Sequence, residues 1–243
     1  MPLYLTEDQL LLRDSAREFL AAEGSIQKQL RKYRDMNCKD GFGHALWKQF
    51  AEMGFTGILV DEADGGLGLG HVEAGIVLEE IGRNLTPSPF LITAVAVVEA
   101  LRGSPLRERW LPAILSGDAV AALAIDEGPK HCPEAIAMRA ERSGNGFSLS
   151  GRKQFVVQGA SADFFVVAAD TEEGISLFLV EKEARGLTVD GVRLADSSIG
   201  ARVEFDHVEV DADALVGGMA LLSRVLNVGR AGAASEMVGL GSA

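Results

Sequence analysis

Hydrophobic periodicity changes once along this chain, near Ser116-Gly117-Asp118, and that switch limits the folds open to it. Before it, apolar residues recur at helical spacing. Leu12, Ala16, Phe19 and Leu20 fall on one face, as do Leu46, Phe50, Met53 and Gly54, and Ala74, Val77, Leu78 and Ile81. Thr6 with Gln9 three positions on predicts a capping box, with Leu5 and Leu10 placed as a hydrophobic staple. Glu79-Glu80 reads as a solvated helix face, one member paired with Arg83. Gly24, Gly41-Phe42-Gly43 and Thr86-Pro87-Ser88-Pro89 break the helices. Gly65, Gly66, Gly68 and Gly70 crowd a fourth break. No βαβ unit precedes them, so this loop reads as structural, not as a dinucleotide fingerprint.

After the switch, short β-rich runs alternate with turn signals. Ala137 to Arg142 and Phe147 to Ser150 flank Gly144-Asn145-Gly146, a hairpin signal. Phe164 to Ala168, Ile175 to Val180 and Val203 to Val210 are further strands, with Arg185-Gly186 and Asp190-Gly191 as turns. Strict alternation puts Val203, Phe205, His207 and Glu209 on one face. Without intervening helices the sheet is expected to be antiparallel, a barrel or sandwich. Beyond Gly217-Gly218 helical spacing returns in Leu222, Val225, Leu226 and Gly229. The Gly- and Ala-rich face that follows needs a packing partner, since each helical Gly costs about 1 kcal/mol relative to Ala, and the sequence through Ala243 is not expected to supply it. The fold class is therefore α+β, with an all-α domain over 1–118, a β domain over 119–217 and a returning helix over 218–243.

Composition excludes several function classes. The 243 residues carry a net charge of −12, which repels phosphate backbones and anionic headgroups, so no nucleic acid or membrane partner is expected. An anionic cofactor would need backbone amides, a helix N-terminus or a few placed arginines. Two cysteines, Cys38 and Cys132, give no disulfide framework. His131 beside Cys132 lacks a second ligand pair, so no metal is expected. His44, His71 and His207 read as surface or satisfied polar residues. The N-terminus has no leader pattern, and the longest apolar run, Phe90 to Val98, is about half the ~20 residues a bilayer span needs. Cytoplasmic localisation is the expectation.

Five segments in order then resemble the acyl-CoA dehydrogenase family. They are Met53-Gly54-Phe55-Thr56-Gly57 through Gly68, Leu78-Glu79-Glu80-Ile81-Gly82-Arg83, Phe147 to Gly159 with Gly151, Lys153 and Phe155 at the family's motif positions, Phe205 to Val210, and Asn227-Val228-Gly229-Arg230. The resemblance implies a helical domain, a middle β domain and the first helix of a C-terminal helical bundle that is otherwise absent. It implies an FAD-dependent oxidoreductase subunit that desaturates the Cα–Cβ bond of an acyl-CoA in fatty acid or lipid degradation. Such a subunit works as a homo- or hetero-oligomer and is incomplete without a C-terminal domain or partner chain. The alternative is a non-catalytic partner subunit with a degenerate flavin site.

The resemblance also places the site. Ile125, Asp126, Cys132, Phe155 and Val157 fall at flavin positions, and Glu127 and Arg230 at substrate positions. Asp126 stands where the family has a hydroxyl that bonds the ring edge, Val157 where it has Thr or Ser. Gly128 to Glu134 is shorter than the family loop and lacks its Ser. Phe155 either packs on flavin or fills the β core; Arg230 either approaches CoA phosphate or lies at a domain interface. The catalytic base lies late in the family's C-terminal domain or directly before the Arg of the last helix. Here Gly229 holds that place, so no base is assigned.

Overall fold

Thr6 caps the first helix as its spacing to Gln9 predicts. Thr6 Oγ1 accepts from the Gln9 amide at 3.2 Å, and Gln9 Oε1 from the Thr6 amide at 3.0 Å. The computed structural model describes residues 4–243; Met1, Pro2 and Leu3 of the leader reading lie outside them. Leu10 stays 37% exposed, so it seals no staple deeply.

Helices fill the first half: α1 (Glu7–Glu23), α2 (Lys32–Asp35), α3 (His44–Glu52), α4 (His71–Asn84), α5 (Val98–Leu101) and α6 (Arg107–Leu115). Wider π-type turns over Gln27–Arg31 and Phe90–Val97 lead into α2 and α5. Phe50 is fully buried and meets Phe19 and Phe55 edge-on at 5.7 Å, an arrangement worth roughly 1 kcal/mol per pair beyond area burial. Met53, expected on the same stripe, caps α3 and is 40% exposed. The glycine-rich loop folds back on the chain before it: the Leu67, Gly68 and Leu69 amides donate to Gly57, Val60 and Ile58. Gly65 takes φ +86°, and a Cβ on Gly66 would overlap the Val60 carbonyl, which is why glycine is required there.

Eight strands follow: β1 (Ala121–Ala124), β2 (Arg139–Ser143), β3 (Gly146–Val157), β4 (Phe164–Thr171), β5 (Gly174–Glu181), β6 (Leu187–Arg193), β7 (Ile199–Asp211) and β8 (Leu215–Gly218). They form one sheet in the order β6-β7-β3-β2-β4-β5-β8, with β1 also on β4. Most pairs are antiparallel, but β1 and β2 both meet β4 in parallel, which the sequence reading did not anticipate. The β2–β3 turn is Gly144-Asn145, left-handed at Gly144 alone, so glycine leads the turn. Asp190-Gly191 is no turn; it continues β6 against β7. Alternation in β7 slips at His207 (φ +51°), where two residues oppose one on β3, so Val208 faces inward while His207 and Glu209 are exposed.

β4 is buried on both faces. Phe164, Val166 and Ala168 pack on the helices, while Phe165, Val167 and Ala169 fill a second core inside the curved sheet. Thr93 Oγ1 accepts from the Ala121 amide at 3.0 Å and donates to its carbonyl at 3.1 Å, joining the first half to β1.

The last helix, α7 (Met219–Gly241), does find a partner within the chain. It lies along α4, where a Cβ on Gly82 would overlap the Glu236 carbonyl. Glu80 also departs from the solvated-face reading. It is 1% exposed and receives Arg17 Nη2 at 2.7 Å, with Arg83 Nε at 3.2 Å; only Glu79 stays at the surface. No helix among the described residues is long and apolar enough to cross a membrane.

Candidate functional site

β3 bulges between Lys153 and Val156, where three steps on β3 match two on β7. The extra residue turns the strand's faces. Lys153 is fully buried, Val156 is 1% exposed, and Phe155 and Val157 are thrust outward at 51% and 44% exposure. Phe155 takes φ +53°, an uncommon conformation for an aromatic residue. Of the two places open to Phe155, the β core is ruled out.

Ile125, Asp126 and Glu127 emerge from the end of β1 and run beside this bulge. The Gln154 amide donates to the Asp126 carbonyl at 2.7 Å, and Gln154 Nε2 to the Glu127 carbonyl at 3.0 Å. Asp126 turns toward its own loop. Its carboxylate accepts from the Cys132 amide at 3.0 Å and from His131 Nδ1 at 2.9 Å, which fixes the imidazole proton on that nitrogen. Cys132 and His131 are themselves exposed.

Glu127, assigned to substrate in the sequence reading, is turned inward. Its two oxygens accept from the Ala137 amide at 2.8 Å, the Met138 amide at 3.0 Å and Lys153 Nζ at 2.7 Å. Burial pushes this carboxyl up, but the Lys153 hydrogen bond and the two amides outweigh it and hold it below the usual range. Burial pushes the Lys153 ammonium down, against the hydrogen bond and charge of Glu127.

Arg230 is exposed on α7 and lines a groove of about 240 Å³ with Pro133 and Glu134 across from it and Leu226 and Asn227 beside it. The segment that holds Cys132 thus forms one wall and α7 the other. Another cavity, of about 480 Å³, lies elsewhere, between α6 and the β2–β3 turn. Glu181, Glu183, Glu209 and Asp211 line it, a charge that opposes any polyanionic ligand.

The candidate residues therefore gather in two places: Ile125, Asp126, Cys132, Phe155 and Val157 around the β3 bulge, and Arg230 in the neighbouring groove. Glu127 sits beneath the first. The sequence reading gave no role to Lys153 or Gln154. Their signal was the Gly-x-Lys-x-aromatic spacing, which names the residue types without revealing that Lys153 points inward.

Family models agree with this architecture. "Acyl-CoA dehydrogenase, N-terminal domain" matches residues 6–118 and "Acyl-CoA dehydrogenase, middle domain" residues 131–208. Acyl-CoA dehydrogenase FadE27 of Mycobacterium tuberculosis is 33% identical over 73% of the chain and 47% of its own length. Cyclohex-1-ene-1-carbonyl-CoA dehydrogenase of Geobacter metallireducens is 30% identical over 98% of the chain and 66% of its own length. Among solved structures, the variant steroid acyl-CoA dehydrogenase Tcur3481-Tcur3483 superposes with a TM-score of 0.88 at 28% identity, covering 97% of this chain and 64% of that one. The ChsE4-ChsE5 complex of Mycobacterium tuberculosis gives the same TM-score at 24% identity, covering 98% and 65%. The chain spans about half to two-thirds of the length of these relatives. With both family models satisfied in order on this fold, the chain belongs to the acyl-CoA dehydrogenase family.

Proposed function

We propose that this chain is the flavin-carrying part of an acyl-CoA dehydrogenase and acts together with a C-terminal helical domain or a partner chain, in a homo- or hetero-oligomer. Its substrate is an acyl-CoA thioester and its cofactor FAD. Phe155 is the observation that carries the reading. A half-exposed aromatic ring held out on a bulge, with Val157 exposed two residues on, offers the flat apolar surface that a flavin ring would cover. The polar side fits less fully, because Asp126 presents an acceptor where a donor would bond the ring edge. Main-chain donors around Ile125 to Glu127 would have to serve instead.

Bound FAD would supply the hydride acceptor for the β-carbon hydrogen. The chain's own residues orient and enclose. Phe155 and Val157 would pack the ring, and the Ile125 to Glu127 segment, held by Gln154 and Lys153, would define its polar edge. Arg230, on the groove between α7 and Pro133-Glu134, places a cation where an anionic acyl-CoA could pass. Gly229, directly before Arg230, has no side chain to take the α-proton, so that position supplies no base.

Relatives that form complexes, ChsE4-ChsE5 and Tcur3481-Tcur3483, support hetero-oligomeric assembly. One specific observation favours the second reading, a non-catalytic partner subunit: the Asp126 carboxylate is already taken by His131 and Cys132 and offers nothing to a cofactor.

Visible spectroscopy of the purified chain, alone and co-expressed with a family subunit, tests the proposal. Flavin bands near one equivalent in either preparation are expected. A protein that stays colourless in both, and gains no bands on adding FAD, supports the non-catalytic reading.

A further inference from the structure

Lys153 is fully buried, and among the described residues its ammonium meets two hydrogen-bond partners: the Ile125 carbonyl at 3.0 Å and Glu127 Oε1 at 2.7 Å. Burying an ammonium is expensive, and apolar side chains of similar volume often replace buried ion pairs at no loss of stability. A lysine kept in such a position is therefore poorly explained by stability alone. Its location suggests another demand. Lys153 begins the bulge that pushes Phe155 outward, and its head reaches the segment carrying Asp126. One side chain thus spans the two strips that the proposed flavin site needs in register.

Resting on the functional reading above, we infer that Lys153 is a positioning residue for the flavin. It sets the spacing between the Phe155–Val157 platform and the Ile125–Glu127 edge, and does so through Glu127. The link continues outward. Glu127 also collects the Ala137 and Met138 amides, so β2 is referenced to the same ammonium. Gln154, next to Lys153, bonds the Glu127 carbonyl, and its amide bonds the Asp126 carbonyl, which keeps the segment from sliding along β3. If Lys153 is removed, the segment keeps its Gln154 bonds but loses the contact that fixes its distance from the bulge.

The test compares the wild type, K153M and the double variant E127Q/K153M, all in the full chain with its partner subunit if one is needed. Three quantities are read: FAD affinity by titration, the position and fine structure of the bound flavin's absorption bands, and the thermal midpoint without FAD. K153M leaves Glu127 buried beside an apolar chain and is expected to lower the midpoint. The double variant removes both charges and is expected to recover most of it. Both variants are expected to bind FAD at least about ten-fold more weakly than wild type, with altered flavin bands, although the double variant is again stable. Wild-type affinity and bands in the double variant would overturn the inference and leave Lys153 a purely structural residue. A wild type that binds no flavin would overturn the functional reading itself, and the inference with it.

Discussion

Gly239 on α7 lies against Glu79 on α4 so closely that a Cβ at Gly239 would overlap the Glu79 carbonyl oxygen. The obstacle is main chain, which cannot rotate away. G239A is therefore expected to destabilise the chain by about 2 kcal/mol, even though alanine is the better helix former. Gly229 lies on the same helix, and nothing would meet a Cβ there. G229A should stabilise by about 0.5–1 kcal/mol through helix propensity alone. Urea unfolding of the two variants beside wild type checks the contrast. Equal effects would mean that α7 does not pack on α4 in solution.

Glu80 ties α1 to α4 through charge. At 1% exposure it receives Arg17 from α1 and faces Arg83 on its own helix, and Arg83 Nη1 reaches the Ser242 carbonyl beyond α7 at 2.7 Å. Removing the carboxylate leaves Arg17 46% exposed to water and Arg83 with Glu79 at 3.5 Å and the Ser242 carbonyl at 2.7 Å, so E80A is expected to cost about 2 kcal/mol. R17A instead removes both hydrogen bonds to a carboxylate that is 1% exposed and leaves it Arg83 alone, so it should cost about 3 kcal/mol. Denaturant midpoints of the two variants would check the order; a larger loss for E80A would contradict it.

Glu236 on α7 gives the chain a pH dependence. Burial pushes its carboxyl from 4.5 up to about 7. A raised acid pKa means the folded state holds the proton more tightly. This contribution is fully present below about pH 4.5 and is lost as pH climbs to 7. At about 1.4 kcal/mol per unit over about 2.5 units, the loss is on the order of 3 kcal/mol. E236Q, neutral throughout, should match wild type near pH 4 and melt higher at pH 8. Thermal scans at the two values decide it: identical melting at pH 8 would mean that Glu236 is solvated.

Periodicity revealed most of the fold because helices and strands bury one face each, and that leaves a mark on every third, fourth or second residue. Ala74, Val77, Leu78 and Ile81 show it, all of them buried. Failures came where two elements meet or a strand slips. Glu80 looks like any surface carboxylate until Arg17, 63 positions away, closes over it. His207 follows the alternation of β7 on paper, but a bulge inserts one residue and reverses the faces beyond it. The parallel contacts of β1 and β2 with β4 depend on pairing across distant segments, which local pattern does not encode. At the candidate site, residue types were legible through the family motif, whereas directions were not. Phe155 proved exposed, Glu127 turned inward, and the importance of Lys153 emerged only from its buried ammonium.

Asp126 offers the sharpest test of whether the site has kept its electronic role. Its carboxylate accepts from His131 Nδ1 and the Cys132 amide, at the position where the family resemblance implies a hydroxyl. Threonine at this position could still accept from the Cys132 amide through Oγ1 while turning its own proton outward as a donor. The substitution also removes a negative charge, which would otherwise oppose the build-up of electrons on a nearby flavin. D126T is therefore expected to tighten FAD binding several-fold and to raise the reduction potential of the bound flavin. A shift on the order of 30 mV, equivalent to about 1.4 kcal/mol for two electrons, is the scale to look for. Dye-equilibrated reductive titration of wild type and variant measures it. An unchanged potential together with weakened FAD binding would show that the carboxylate serves only to fold the 126–132 loop.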